Sequence, residues 1–423
     1  MLLNFAVENY RSIRERQVLS LMAVDGLPHK ESLLSSHEGR LALPLAVLFG
    51  ANASGKSNIL RALGAMRDMV DGSVRLNPED PLDEYEPFLL NEETRTDKTE
   101  FEIEFFFELD GTTRHYRYGF CFTEKTINEE WLFETKDGEE LCLFTRGEEN
   151  QLDLDSLLFP EGANKVDALR SNRLFLSLVA QLNGDISNSI LGWFKESRFI
   201  TALHTEPYMG RTFRLLNEDS EYSLYAKRFL QDIDVAIQGL SFEEEKIDRE
   251  KFPKEVQELL GPLLEAGMKK LRVESTHNLY APDGTIVGQE QFDFERKESE
   301  GTMKITELLG LIFGTLAQGT LLVIDELDAK LHPFLTRAII QLFTNTELNK
   351  KGAQLIFTTH DTNQLNLDYV RRDEIWFTQK NQREETQLYS HVDVEDFDEY
   401  AYVADEYVCG RYGAIPRIKL TRV

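Results

Sequence analysis

The sequence GANASGKS at residues 50–57 fits the pattern G-x-x-x-x-G-K-[ST] at every fixed position. The apolar run LPLAVLFG (43–50) leads into it, and NILRALGAM (58–66) follows it. Because the run is entered by a proline and closed by a glycine, it predicts a short strand buried on both faces, whereas the segment after the motif predicts a helix. A chance glycine-rich turn is the competing interpretation. The flanking strand and helix favour a phosphate-binding loop instead.

The residue types in this loop indicate what it binds. Glycines let the backbone curl so that successive amides surround phosphate oxygens, and the start of the following helix adds partial positive charge. Lys56 is expected to contact the β- and γ-phosphates of ATP, and the Ser57 hydroxyl is expected to ligate Mg²⁺. The predicted nucleotide-binding positions of the motif are Gly50, Asn52, Ser54, Gly55, Lys56 and Ser57.

A pair of acidic residues follows a second apolar run, in LLVIDELD (321–328). Ligands of open α/β sheets collect at the carboxyl ends of the strands. We therefore expect Asp325 to enter the Mg²⁺ shell and Glu326 to act as a general base that polarises the attacking water. The alternative is that Asp325 and Glu326 simply end a strand and face solvent.

Two further residues flank this predicted site. Asp328 lies two residues beyond Glu326, and His360 ends the apolar strand pattern AQLIFTT. The position of His360 favours a contact with the γ-phosphate, because parallel strands deliver their carboxyl ends to one edge of a sheet. A structural or solvent-exposed histidine is the alternative.

The stretch KESEGTMKITELL (297–309) predicts the start of a helix. Ser299 or Thr302 would cap it by accepting hydrogen bonds from free backbone amides. Those amides could also face an anion. The apolar face of this helix is predicted to comprise Ile305, Leu308, Leu309 and Ile312.

Composition narrows the class of protein. The 423 residues carry 74 acidic against 47 basic side chains, a net charge of −27. This charge opposes broad attraction to nucleic acid or anionic membrane, although a local basic patch stays open.

Cys121, Cys142 and Cys409 show no CxxC spacing, which argues against structural zinc and disulfides and favours a reducing compartment. With no signal peptide and no membrane-spanning run, the expectation is a soluble cytoplasmic protein.

Helical patterns alternating with apolar strands predict an α/β fold with a largely parallel sheet. We predict an N-terminal lobe at 1–162, a helical insertion at 163–266 and a C-terminal lobe at 267–423. The insertion is suggested by helical windows such as NRLFLSLVAQL (172–182) and KEVQELLGPLLEAGMKKL (254–271).

Together these residues resemble an ABC-type ATPase head of the RecF/SMC group, a P-loop fold with a mixed sheet and a mostly parallel core. The matching elements are ENYRSI, the phosphate loop with its trailing Asn58, SEGT in the signature position, VIDELD, the LDAKLHP D-loop and the switch histidine of TTHD. ESEGT, LVIDELDAKLHP and GRYGAIP are similar to the stand-alone prokaryotic ATP/GTP-phosphatase family, which includes abortive-infection and PARIS-type phage-defence ATPase subunits. The resemblance covers the chain and is weakest over 163–266.

The resemblance implies that two heads sandwich two nucleotides, and that each site receives the signature motif of the opposite subunit. In that arrangement Ser299, Glu300 and Gly301 face the γ-phosphate held by the partner's Lys56. Relatives carry Gly-Gly after the signature serine, whereas this chain has Glu300-Gly301. An acid beside a triphosphate is electrostatically unfavourable unless its side chain turns away.

Other roles also follow from the resemblance alone. Asp328 would couple the two sites across the dimer, His360 would sense the γ-phosphate, and Arg11 and Asn58 would approach the nucleotide. The sequence does not identify a glutamine for the lid loop.

The resemblance implies an ATP-hydrolysing sensor or scaffold of a bacterial anti-phage system. It would form a head-to-head dimer or a larger homo-oligomer, and it would respond to a trigger such as a phage protein. The sequence contains no coiled-coil arms, HNH pattern or Cys/His metal motif. Toxic chemistry is therefore expected in a separate effector, such as a TOPRIM-type nuclease, that is assembled or released with nucleotide state.

Two other functions stay open on the sequence. A RecF-like DNA-repair ATPase would need a local basic groove, and the sequence does not decide whether nucleic acid is bound. The second function is that of the motor subunit of a membrane transporter. The predicted helical insertion and the altered signature argue against it.

Overall fold

A computed structural model describes residues 1–35, 39–109, 111–147, 150–201, 208–233, 237–246, 269–395 and 402–416. The strands are β1 (Leu2–Glu8), β2 (Gln17–Ser20), β3 (Leu34–Ser35), β4 (Leu41–Ala42), β5 (Leu45–Gly50), β6 (Thr99–Leu109), β7 (Thr112–Phe122), β8 (Ile127–Lys136), β9 (Glu139–Arg146), β10 (Leu152–Leu154), β11 (Arg198–Thr201), β12 (Gly239–Lys246), β13 (Lys269–Tyr280), β14 (Ile286–Asp293), β15 (Leu321–Asp325), β16 (Gln354–Thr358), β17 (Ile375–Lys380) and β18 (Thr386–Ser390). The α-helices are α1 (Lys56–Gly72), α2 (Phe175–Gln181), α3 (Asp185–Glu196), α4 (Met209–Asn217), α5 (Glu221–Asp232), α6 (Phe294–Lys297), α7 (Glu300–Gln318), α8 (Pro333–Thr344) and α9 (Val403–Val408).

A six-stranded sheet places the predicted motifs. Its order is β11-β15-β16-β5-β17-β18, and the strands are parallel except for β18, which runs antiparallel to β17. Every residue of β5 is buried, as expected for a parallel strand covered on both faces. The α/β fold with a mostly parallel core is therefore confirmed.

A seven-stranded antiparallel sheet, ordered β10-β9-β8-β7-β6-β1-β2, forms a second layer. Alternate side chains of β6 are fully buried, namely Phe101, Ile103 and Phe105. They belong to one apolar core with residues of α1, α2 and α3. The intervening glutamates form ion pairs on the other face, as Glu102 does with Arg117 at 2.8 Å. This period-two alternation is typical of a sheet with one packed face and one polar face.

The chain forms two compact units. The first comprises Met1–Ala202, Thr315–Ala329 and Thr336–Val423, and the second comprises Leu203–Gly314 and Lys330–Leu335. Both large sheets belong to the first unit. The second contains α4, α5, the three-stranded sheet β12-β13-β14, α6 and most of α7.

This division differs from the predicted ranges 1–162, 163–266 and 267–423. Helices α2 and α3 supply residues to the core of the first unit, and β11 pairs in parallel with β15. The stretch from 163 is therefore partly built into the first unit, with β11 in the six-stranded sheet, and it contains strands as well as helices. Most of the helix predicted at 254–271 lies outside the described residues, and its last three residues open β13.

Among the residues that the structure describes, no helix combines the length and the apolar character needed to cross a membrane.

Candidate nucleotide-binding site

The phosphate loop connects β5 to α1 as predicted, and two glycines in it are sterically required. Gly55 has φ +111°, in the left-handed region, and a Cβ at this position would collide with the side chain of Thr386. A Cβ on Gly50 would lie 2.5 Å from the carbonyl oxygen of Thr378. Both glycines therefore allow a close approach by the neighbouring strands β17 and β18.

The side chain of Lys56 lies inside the phosphate loop. Its Nζ donates hydrogen bonds to the carbonyl oxygens of Gly50 at 2.8 Å and Ala51 at 3.2 Å. Burial lowers the pKa of Lys56 to about 8, and nearby carboxylates, led by Asp325, oppose this effect. The ammonium group is thus held by neutral carbonyls in a poorly solvated position.

This pKa gives a testable pH dependence. A triphosphate interacts with the charged form of Lys56, so affinity should fall once the lysine loses its proton. Between about pH 7 and about pH 9, the protonated fraction of a group with pKa near 8 drops about tenfold. We expect ATP affinity, measured with a fluorescent analogue, to fall correspondingly. Lys56→Arg is the control, because arginine stays protonated; equal pH profiles for the two proteins would contradict the assignment.

The predicted magnesium ligands lie next to each other. The Ser57 hydroxyl donates a hydrogen bond to Asp325 Oδ1 at 2.9 Å. Thr358 at the end of β16 donates to the same oxygen at 2.7 Å, and its own hydroxyl oxygen accepts the Glu326 amide at 2.7 Å. Hydroxyl and carboxylate oxygens suit Mg²⁺, so Ser57 and Asp325 fit the metal expected here. Thr358 was not among the predicted site residues, although its place two residues before His360 in TTHD was a signal.

Glu326 has an unusual backbone conformation. Its φ of +58° lies in the left-handed region, which is uncommon for residues with a side chain and often marks functional sites. The hydrogen bond to Thr358 Oγ1 fixes this turn immediately after β15. Glu326 is half-buried beside Asp325, so the predicted general base lies next to the predicted magnesium ligand.

Asp328 and His360 are brought together at the same sheet edge. Asp328 Oδ2 accepts a 3.4 Å hydrogen bond from the His360 backbone amide. The other oxygen, Oδ1, is buried and has no hydrogen-bond partner among the described residues. Burial, followed by the positive charge of Lys56, lowers the pKa of His360. This favours a neutral imidazole, which can donate one hydrogen bond and accept another.

A polar relay that sequence reasoning missed holds the phosphate loop. Asn58 Nδ2 donates to Ser12 Oγ at 2.7 Å, Ser12 Oγ lies 2.7 Å from Thr386 Oγ1, and Thr386 donates to the Ser54 carbonyl at 3.0 Å. Ser54 Oγ lies 2.6 Å from Thr378 Oγ1. Asn58 and Ser54 were predicted to contact the nucleotide, and the structure gives their side chains partners within the protein.

The relay predicts a phenotype for Thr386. Thr386→Val leaves the buried Ser54 carbonyl without its donor, and an unpaired buried group costs about 1–3 kcal/mol. We expect ATP affinity to fall about tenfold, whereas Thr386→Ser keeps the hydroxyl and should bind within about twofold of the parent. Titration with labelled ATP measures both, and thermal melting checks that both are folded. Equal affinities for the Val and Ser variants would exclude a positioning role.

Arg11 is held by an acidic partner. Its guanidinium forms an ion pair with Glu86, and its backbone amide donates to the Glu86 carbonyl at 2.6 Å. Arg11 Nε is buried without a hydrogen-bond partner in the described part of the chain. The predicted approach of Arg11 to the nucleotide therefore requires release from Glu86, and it stays a prediction.

The signature stretch begins α7 in the second unit. Ser299 Oγ accepts a hydrogen bond from the Thr302 amide at 3.1 Å, which confirms the predicted N-cap. Glu300 forms an ion pair with Lys330 at 3.3 Å, so its carboxylate has a cationic neighbour. A Cβ on Gly301 would lie 2.9 Å from the Lys330 carbonyl oxygen. The predicted apolar face is fully buried, at Ile305, Leu308, Leu309 and Ile312.

A cleft of about 960 Å³ opens beside the phosphate loop. It is lined by residues 50–54, by His360 and by part of the C-terminal segment, including Tyr407, Cys409 and 413–416. Tyr407 stacks on Phe377 of β17, with ring centroids 5.6 Å apart and an interplanar angle of 16°. The sequence quoted as GRYGAIP therefore forms one wall of the cleft, a placement that its local pattern did not indicate.

A phosphate loop after β5, an acidic pair at the end of β15 and a histidine after the intervening β16 define a P-loop ATPase of the ABC-like class. The chain belongs to the family described as "AAA domain, putative AbiEii toxin, Type IV TA system", whose family model matches residues 45–368. No curated protein matches the chain at a significant level.

Two solved structures are similar over most of their length. The SMC head bound to the C-terminal winged-helix domain of ScpA is 14% identical, with a TM-score of 0.42, and the match covers 92% of this chain and 97% of that chain. The SMC head domain from Thermotoga maritima is 10% identical, with a TM-score of 0.39 and coverage of 92% and 98%.

Proposed function

We propose that this chain binds ATP with Mg²⁺, hydrolyses it, and uses its nucleotide state to control a separate effector protein of a bacterial anti-phage defence system. The observation that carries the ATPase proposal is the contact between Ser57 and Asp325, 2.9 Å apart, with Glu326 in the next position. This contact joins the phosphate loop to the acidic pair from a distant part of the sequence.

The reaction divides among residues of the first unit. Lys56 exchanges its loop carbonyls for β- and γ-phosphate oxygens, and the α1 N-terminus adds favourable electrostatics. Ser57 and Asp325 hold Mg²⁺, which supplies charge neutralisation on the phosphates when bound. Glu326 accepts a proton from the attacking water. The oxygen of that water bonds to the γ-phosphorus, and the bond between the γ-phosphorus and the ADP oxygen breaks. His360 donates a hydrogen bond to the released phosphate oxygens.

We further propose that two copies complete each other's sites when ATP is bound. Ser299 and the first amides of α7 would face the γ-phosphate held by the partner copy, since a helix N-terminus favours an anion. The Glu300–Lys330 ion pair supports this proposal, because Lys330 offsets the carboxylate that the altered signature introduces. Asp328, one of whose oxygens is buried without a hydrogen-bond partner in the described ranges, is the residue proposed to link the two sites.

The description of the family bears on the proposed effector protein. The family's description refers to a toxin and a toxin–antitoxin system, which supports a functional link to toxic chemistry. We place that chemistry in a separate protein, such as a TOPRIM-type nuclease, with a phage protein as the trigger. The chain's net charge of −27 supports protein partners over non-specific binding to nucleic acid.

Co-expression with the adjacent genes tests this control function. Mass measurement of the purified assembly with and without ATP should show a second protein whose occupancy changes with nucleotide. The same measurement on Lys56→Ala should lose the nucleotide response while the chain stays folded. If neither protein captures another component in any nucleotide state, the effector proposal is wrong, although ATP hydrolysis could still be measured independently.

A further inference from the structure

A nearly buried carboxylate, that of Glu298, directly precedes Ser299 of the signature stretch. These two residues connect the short helix α6 to α7, and Ser299 is exposed. The Glu298 side chain is only 9% exposed. Carboxylates are almost never buried to this extent unless they are paired. The contacts that hold Glu298 therefore also fix the position of the serine next to it.

Two residues of β13 supply these contacts. Glu298 Oε1 accepts a hydrogen bond from the hydroxyl of Ser275 at 2.5 Å and lies 2.7 Å from His277 Nε2. Because an ionised carboxylate only accepts hydrogen bonds, Nε2 is the donor. Ser275 and His277 are two residues apart on one strand, so their side chains project from the same face. The chain thus turns back after β14 and places Glu298 against the face of β13.

Serine, histidine and an acid also form hydrolytic triads, but the geometry of this cluster differs from a triad. In a triad, one imidazole nitrogen faces the serine and the other faces the acid. Here the same nitrogen of His277 lies near both Glu298 and Ser275, the latter at 3.3 Å, and the serine donates to the acid. Ser275 is also fully buried. The cluster is therefore suited to holding Glu298 in place and not to nucleophilic catalysis.

A second contact holds the other side of Ser299, and it is the weaker of the two. Glu300 pairs with Lys330 at 3.3 Å, but these side chains are 71% and 52% exposed. Exposed ion pairs contribute little, whereas charge-assisted hydrogen bonds in a buried position are strong. Glu298 therefore does more than Glu300 to determine where Ser299 lies.

We propose that Glu298, held by Ser275 and His277, is a positioning residue that fixes Ser299 and the first amides of α7 for the γ-phosphate of the partner copy. This inference rests on the proposed completion of each site by the other copy. Glu298 acts through its neighbour and does not itself contact nucleotide. A displacement of about 1 Å in a positioning group can lower a rate about 100-fold. The anchor should therefore affect turnover and leave ATP binding by the chain's own phosphate loop intact.

Glu298→Ala tests this role. Turnover should fall about 10–100-fold, whereas the affinity for ATP, measured at a protein concentration that keeps copies apart, should stay within about twofold of the parent. Glu298→Gln keeps an oxygen that accepts both hydrogen bonds and should retain turnover within about threefold. Glu218→Ala changes an exposed glutamate of the same unit and is the matched control. It should hydrolyse ATP like the parent.

Mixing two variants before ATP is added separates positioning from a loss of folding. Glu298→Ala keeps the general base, and Glu326→Gln keeps the anchored signature stretch. In a mixed dimer, the site that retains Glu326 receives the intact signature stretch of the other copy. An equal mixture should recover about one quarter of the parent rate, because half of random dimers are mixed and each has one complete site. An unfolded chain would not restore turnover in this way.

A variant of the donor provides a second test if Glu298→Ala does not fold. Ser275→Ala removes one of the two donors and should lower turnover about threefold to tenfold with ATP affinity unchanged. A parent that hydrolyses no ATP would contradict the proposed function itself. With an active parent, three results would overturn the positioning role: unchanged turnover in the alanine variants, equal losses for Glu298→Ala and Glu298→Gln, or no recovery when a folded Glu298→Ala chain is mixed.

Discussion

Lys56→Ala should weaken ATP binding about 100-fold, the largest effect on affinity expected from a single substitution in this chain. Lys56 is the cation inside the loop, and hydrogen bonds from charged groups contribute about 1.5–3 kcal/mol each. The alanine variant removes a buried ammonium group whose pKa is already lowered to about 8, but it also leaves the Gly50 and Ala51 carbonyls without this donor. These two effects oppose each other, so its melting temperature should stay close to that of the parent. Calorimetric titration with ATP and Mg²⁺ measures the affinity.

The matched control is Lys56→Arg, which keeps the positive charge and should bind more tightly than the alanine variant. If Lys56→Ala bound ATP as the parent does, the loop at 50–57 would not be the nucleotide site. A loss of binding accompanied by a large drop in melting temperature would instead indicate that the loop had lost its structure.

Glu326→Gln should reduce ATP turnover by about 10²–10⁴-fold, the range typical of a lost general base. Binding should persist, since Lys56, Ser57 and Asp325 are unchanged and glutamine has nearly the same shape. The backbone amide of residue 326 donates the hydrogen bond to the Thr358 hydroxyl. The substitution leaves this amide unchanged, so the turn should be retained. Phosphate release measures turnover, and light scattering should detect an ATP-bound dimer that accumulates.

An exposed glutamate on the same lobe, Glu347, supplies the control. Glu347→Gln changes charge by the same amount and should leave turnover within about twofold of the parent, as expected for a surface position. If the Glu326 variant hydrolysed ATP at the parent rate, the base would have to be another group.

Features encoded by contiguous residues could be predicted from the sequence. The phosphate loop, β5 and the N-cap of α7 each depend on local backbone requirements, such as glycine in a left-handed turn or serine before a first helical turn. Asp325 and Glu326 could be assigned to the site because they end an apolar strand, and ligands of open α/β sheets bind at the carboxyl ends of the strands. The structure brings Ser57 and Asp325 together as that rule requires.

Features that depend on distant contacts could not be predicted in the same way. Thr386 reaches the loop through Ser54, 332 residues earlier in the chain, and no periodic pattern or motif marks such a pair. The C-terminal wall of the cleft and the pairing of β11 with β15 also depend on contacts between residues that are far apart in the sequence. The window NRLFLSLVAQL (172–182) correctly predicts α2, but a single sequence does not reveal which sheet that helix covers.

The position of β5 has a consequence for synthesis of the chain. Its two hydrogen-bonded neighbours are β16 and β17, and the relay to Ser54 closes only with Thr386. A ribosome that has released the first half of the protein has delivered the complete motif of residues 50–57, but not the strands or hydroxyls that shape it. The chain therefore becomes able to bind nucleotide only late in translation. An interrupted chain carries residues 50–57 but lacks the neighbouring strands that shape them to bind ATP.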